Sequence, residues 1–181
     1  KAAEKNNPEA FLNLGFMYCN GLGVVKSLEE GVRYYTLSAQ QNNVVALDNL
    51  GICYLKGAGV EQNYKKAKYF FELAANQKYP SAINNLGNMY LNGDGVKQNY
   101  KKAIHYFEEA ANLKSSDAMI NLGIIYLNGM GVTKDYKKAR DYFKLASDEQ
   151  DSNGYLNLAE MYVGNFDFAK DYLLAKDYYE K

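Results

Sequence analysis

Four Leu-Gly pairs, Leu14-Gly15, Leu50-Gly51, Leu86-Gly87 and Leu122-Gly123, recur every 36 residues, and Leu158-Ala159 continues the series with one substitution. No insertion breaks the phase over the 181 residues. A fixed period of this length marks stacked supersecondary units, each burying its apolar face only against its neighbours. Such a chain presents a long surface rather than an enclosed pocket, so it points to binding before catalysis.

Other positions keep the same phase. Ala10, Ala46, Ala82, Ala118 and Gly154 stand four residues before the Leu, and Tyr18, Tyr54, Tyr90, Tyr126 and Tyr162 four after it. A Gly-x-Gly-Val stretch follows in four units, from Gly21, Gly57, Gly93 and Gly129. A second set reads Tyr64-Lys-Lys-Ala67, Tyr100-Lys-Lys-Ala103 and Tyr136-Lys-Lys-Ala139, closed by the pairs Tyr34-Tyr35, Phe70-Phe71, Tyr106-Phe107, Tyr142-Phe143 and Tyr178-Tyr179. Ala10, Leu14 and Tyr18 fall on one helical face, as do Ala67, Phe70, Phe71, Ala74 and Ala75. Asn7, Asn43, Ser115 and Asp151 stand where a first helix needs an N-cap, with Pro8 and Pro80 in the first turn. Ser27, Asn63, Asn99, Asp135 and Asp171 stand where a second helix needs one, and Ser27 with Glu30 predicts a capping box. Glycine between the helices supplies the positive φ that ends the first. Each unit therefore reads as helix–loop–helix.

The motif A-x-x-x-L-G-x-x-Y-x-x-G-x-G-V, followed by an aromatic-Ala helix, resembles the Sel-one-like repeat (SLR) family, relatives of tetratricopeptide repeats with a longer internal loop. The resemblance covers the whole chain. It implies an all-α solenoid of five stacked 36-residue helix–loop–helix repeats in a right-handed, tetratricopeptide-like superhelix. Units are expected over about 7–42, 43–78, 79–114, 115–150 and 151–181, after a partial helix at 1–6. Residues 1–5 match the tail of a second helix, so the chain reads as a piece of a longer protein. Two terminal units depart from the pattern: Asn165-Phe166-Asp167 replaces the fifth glycine pair, while the first unit has Leu28 for Tyr and Gly31 for Ala.

Composition narrows the function. With 21 basic and 21 acidic residues there is no global field to recruit nucleic acid or an acidic membrane. Residues 141–181 hold nine acidic and four basic side chains, read as solvated surface or as a means to orient a charged partner. The repeat places 15 of the 18 tyrosines, so core packing accounts for them better than base stacking. Cys19 and Cys53 occupy different phases and form neither a disulfide framework nor a zinc site. Free buried thiols suit a reducing compartment such as the cytoplasm. The regular cysteine pairs of some secreted bacterial SLR proteins are missing. No segment reads as membrane-inserting.

No catalytic constellation is legible. His105 shares its phase with Arg33, Tyr69, Asp141 and Asp177, which predicts an exposed position. The Gly-x-Gly loops follow helices rather than strands and are not dinucleotide fingerprints. The resemblance brings a β-lactam-binding branch into view, but no Ser is followed three residues later by Lys, and no Lys-Thr-Gly occurs. The chain is thus expected to be a non-catalytic scaffold or adaptor for a protein or peptide, within a multi-protein complex, using no cofactor or metal. The alternatives are an enzyme of the β-lactam type and a regulatory repeat domain attached to a catalytic domain elsewhere.

The expected contact surface is the concave wall of first helices. Its outward stripe carries Leu12, Asn13, Phe16, Asn49, Ile52, Asn85, Asn88, Asn121, Ile124 and Asn157, with Asn84 and Asn92 making the middle unit more polar. Asn13, Asn49, Asn85, Asn121 and Asn157 hold one phase. A ladder of carboxamides can grip the backbone of an extended peptide, or it can bond neighbouring units together. The Lys pairs of the second helices read as a solvated edge, with an acidic partner as the other possibility.

Overall fold

The computed structural model describes residues 6–164, 166 and 170–181. Among them are ten helices and no strand: α1 (Pro8–Asn20), α2 (Leu28–Ala39), α3 (Val44–Lys56), α4 (Tyr64–Ala75), α5 (Pro80–Asn92), α6 (Tyr100–Asn112), α7 (Ser116–Asn128), α8 (Tyr136–Asp148), α9 (Ser152–Val163) and α10 (Tyr172–Tyr179). Residues 1–5, read from sequence as the tail of a further helix, lie outside the described residues, as do Asn165 and Asp167 of the atypical loop.

Helix boundaries follow the capping chemistry. Side chains of Asn7, Ser27, Asn43, Asn63, Asn99, Ser115, Asp135, Asp151 and Asp171 each accept a backbone N–H of the first helical turn. Tyr79 offers no such side-chain bond, and there Pro80 at the start of α5 removes one orphan donor. The Ser27 box is half formed. Ser27 Oγ accepts from the Glu30 amide at 3.2 Å, but the Glu30 carboxylate turns outward to Arg33 at 2.8 Å. The odd helices α1 to α7 end on glycines with φ between +69° and +84°. Every loop is then closed by one repeated bond, from the N-cap amide of the second helix to the carbonyl of the phase-18 tyrosine (Ser27 to Tyr18 through Asp171 to Tyr162).

Packing explains the Leu-Gly pair. The aromatic ring two turns into the second helix packs directly against the glycine of the first in the first four units. Phe71, Phe107 and Phe143 are fully buried there, and a Cβ added at Gly87 would stand 2.5 Å from Phe107 Cε1. In the fifth unit Ala159 replaces the glycine and is fully buried, while Tyr179, at the phase of those rings, is 53% exposed. Neighbouring units interlock through a second glycine. A Cβ on Gly59, Gly95 or Gly131 would strike Leu28, Tyr64 or Tyr100 of the preceding unit. Gly31, the departure in the first unit, makes room for Cys19, because a Cβ there would overlap its Sγ.

Two pairs of successive first helices touch each other directly, α3 with α5 and α7 with α9, and among the described residues no pair of second helices makes a comparable contact. The more closely packed layer has the smaller radius, so the first helices form the inner wall.

Candidate partner-binding surface

The inner wall carries the predicted stripe, but its residues divide. Asn13 is exposed, and Phe16 at 53% leaves much of its ring in solvent. Leu12 is half-buried against the Val32–Tyr35–Leu50–Cys53 cluster. Ile52 is half-buried against Phe71, Leu86 and Met89, and Ile124 against Phe143, Leu158 and Met161. These three apolar side chains therefore hold neighbouring helices together while keeping an edge in solvent.

The asparagine phase divides too. Asn85 Nδ2 donates to Asp48 Oδ1 at 3.0 Å, and Ser81 Oγ donates to Asp48 Oδ2 at 2.8 Å, tying α5 to α3. Asn121 Nδ2 donates to Asn84 Oδ1 at 2.9 Å and reaches Asn88 Oδ1 at 3.4 Å, tying α7 to α5. Asn157 bonds its own helix at the Asn153 carbonyl, 2.7 Å. Asn13 and Asn49 make no side-chain hydrogen bond among the described residues. Two rungs of the ladder are thus inter-repeat struts. Asn84, expected on the open stripe, is only 6% exposed beneath them.

Asp48 is the polar residue that the sequence reading did not single out. It is 3% exposed, and burial raises its pKa, opposed by the hydrogen bonds from Ser81 and Asn85. The available signal was a carboxylate and an amide, Asp48 and Asn84, standing in a phase otherwise filled by Leu12, Ile120 and Leu156. Asn84 accepts from Asn121 just as Asp48 accepts from Asn85, so the fold already holds an amide at this position. A carboxyl raised in the folded state binds more protons there than in the unfolded chain, and stability falls as pH rises from about 4 through the raised pKa. Asp48→Asn is expected to be at least as stable as the parent at pH 7, with the advantage gone below about pH 4. Urea unfolding across that range tests this; a variant weaker at pH 7 than at pH 4, relative to the parent, would show that the ionised carboxylate is favourable.

The struts predict a contrast. Asn121→Ala leaves the buried Asn84 oxygen without its donor, at a cost of about 1–3 kcal/mol. Asn13→Ala removes no bond and is expected to stay within ~0.5 kcal/mol. Equal melting of the two variants would show that the ladder does not hold the units together.

Elsewhere, burial pushes the Cys53 thiol up to about 11 and raises Cys19 as well; both cysteines are free. His105 is exposed beside Tyr106. One depression of about 370 Å³ lies on the opposite, second-helix side, among Glu72, Ala75, Asn76 and Tyr106. Among the described residues no helix is long and apolar enough to cross a membrane.

The Sel1 repeat model matches residues 8–43, 44–79, 80–115, 116–151 and 152–181. The chain belongs to the Sel1 repeat family. A Sel1 repeat protein of Oxalobacter formigenes is 32% identical, with a TM-score of 0.89 over 99% of this chain and 74% of that one. A protective antigen of uropathogenic Escherichia coli strains displaying an SLR fold is 31% identical, with a TM-score of 0.79 over 99% of this chain. This chain spans 38% of that protein's length. An immunity protein of Pseudomonas aeruginosa, at 18% identity and a TM-score of 0.52 over 96% of this chain and 80% of that one, shares the fold. No protein of curated function matches the chain. The Sel1 repeat accounts for the glycine slots of the first four units and the loop bond of all five.

Proposed function

We propose that this Sel1 repeat solenoid is a non-catalytic scaffold that holds a protein or peptide along the inner wall of its first helices. Sel1 repeat proteins are commonly protein-interaction scaffolds. The observation that carries the reading is the Phe16 ring, 53% exposed on the inner layer next to exposed Asn13. An aromatic side chain left in water on a concave wall is the kind of anchor on which interface energy concentrates. The exposed edges of Ile52 and Ile124 extend the apolar row, with Asn13 and Asn49 as its uncommitted polar holds. Asn85 and Asn121 support the wall rather than the ligand. The raised thiols of Cys19 and Cys53 are protonated at neutral pH and suit packing, not nucleophilic chemistry.

The test compares what co-purifies with the protein and with Phe16→Ala, read by mass spectrometry. Phe16 belongs to none of the buried clusters, so the variant is expected to keep the parent's circular dichroism and nearly its melting temperature. Loss of the anchor is expected to weaken the partner by ~2 kcal/mol or more, about thirtyfold. A partner retained at full strength by Phe16→Ala would move the contact off the inner wall.

A further inference from the structure

Three second helices begin against their own dipoles. Lys65-Lys66, Lys101-Lys102 and Lys137-Lys138 fill the first turns of α4, α6 and α8, where an acid is favoured and a cation opposed by ~0.3–1 kcal/mol each. All six are exposed. None forms an ion pair among the described residues, whereas Lys68, Lys114, Lys144 and Lys176 pair with Glu72, Glu149, Asp148 and Glu180. Exposed Lys56, at the end of α3, and exposed Lys97 and Lys134, in the connectors before α6 and α8, form no ion pair among the described residues either. Each of the middle three units thus presents three such lysines against one acid: Glu61, Asp94 or Asp135. Asp135 is itself occupied in capping the Lys138 amide at 2.9 Å. The chain as a whole is neutral, so this is local segregation of charge.

The array is also ordered. Lys66, Lys102 and Lys138 place their ammonium groups 4.9, 5.0 and 4.9 Å from the ring centroids of Tyr54, Tyr90 and Tyr126. Each of those rings also stacks on Phe70, Tyr106 or Tyr142 at 5.6–5.7 Å. The cation–π contacts offset part of the dipole cost for one lysine of each pair and fix it in place. Lys65, Lys101 and Lys137 receive no such return. A local rule broken three times at one phase, without internal compensation, is the mark of a surface shaped for something outside the fold.

We infer that this lysine edge of the middle three units is a docking surface for an extended acidic segment of a partner protein, independent of the inner wall. A row of unpaired cations at a fixed interval complements an extended chain with acidic side chains along one side. A single nucleic-acid strand fits less well. The tyrosines that would stack bases are already engaged by a lysine and an aromatic neighbour.

Fluorescence anisotropy of a labelled polyglutamate peptide, titrated with the whole chain at low and at physiological salt, tests the inference. Binding is expected, weaker at higher salt. The Lys65→Glu, Lys101→Glu, Lys137→Glu variant is expected to bind about tenfold or more weakly. It should melt no lower than the parent, because acids suit the first helical turn. Phe16→Ala should bind polyglutamate as the parent does, which separates this surface from the inner wall. Absence of binding at low salt, or undiminished binding by the triple variant, would overturn the inference. Tighter binding of oligothymidylate than of polyglutamate would also overturn it, by giving the edge to nucleic acid.

Discussion

Gly87→Leu is expected to be among the most damaging single substitutions in the chain, at or beyond the top of the about 1–3 kcal/mol overpacking range. Gly87 has no Cβ because the ring of Phe107 occupies that space, and even the first added carbon would stand 2.5 Å from Phe107 Cε1. The ring cannot retreat. Phe107 is fully buried among Ala103, Ala110, Leu122 and Ile125 of the same core, and packed interiors yield little. Gly87→Ala should already fall within the range, and Phe107→Leu in the same molecule should recover part of the loss, a coupling that single variants do not show. In the fifth unit, where Ala159 carries a methyl at this position, Tyr179 is exposed. Urea unfolding of the two single variants and the double variant decides the matter; an unchanged midpoint for Gly87→Ala would remove the steric role of the glycine.

The second large effect separates backbone strain from interlocking. Gly95 and Gly23 occupy the same loop position with φ of +67° and +71°. An alanine at either pays ~1–2 kcal/mol for the left-handed conformation. Only at Gly95 would the new Cβ run into Tyr64 of the preceding unit; at Gly23 the nearest side-chain atom is Met17 Cε at 3.9 Å. Gly95→Ala is therefore expected to cost a further ~1–3 kcal/mol. It should also loosen the junction between the second and third units. A solenoid is stabilised by neighbour-to-neighbour interfaces, so the Gly95→Ala melt is expected to broaden or split while the Gly23→Ala melt shifts as one transition. Equal shifts and shapes for the two would assign the whole effect to backbone strain.

Both predictions use residues that the sequence had already marked by period. Position within the 36-residue unit was enough to separate helices, caps, connectors and the Leu-Gly contact, because each unit meets only copies of itself and the same packing problem recurs. The departures were legible as departures but not as consequences. Gly31 stood out against four alanines, yet only packing shows that it clears the Cys19 sulfur. Ala159 stood out against four glycines, yet only the structure shows that Tyr179 of that unit is exposed.

The candidate surface was less legible, for a physical reason. Helical phase gives the direction of a side chain around its own axis, and on a first helix the same arc borders both the open wall and the next unit. Asn13, Asn85 and Asn121 share a phase, but whether a carboxamide meets solvent or a neighbour depends on what the next helix offers at bonding distance. Asp48 and Asn84 offer oxygens, and Leu12 and Ile120 do not. The lysine pairs were visible as a repeated motif, but their lack of acidic partners is a fact about space. The sequence alone determined the all-α repeat architecture, its period and its caps, since these rest on local chemistry repeated in register. Tertiary structure alone decided which asparagines are struts, which apolar residues keep an open edge, and which cations stand unpaired, since these depend on the distance between neighbouring units.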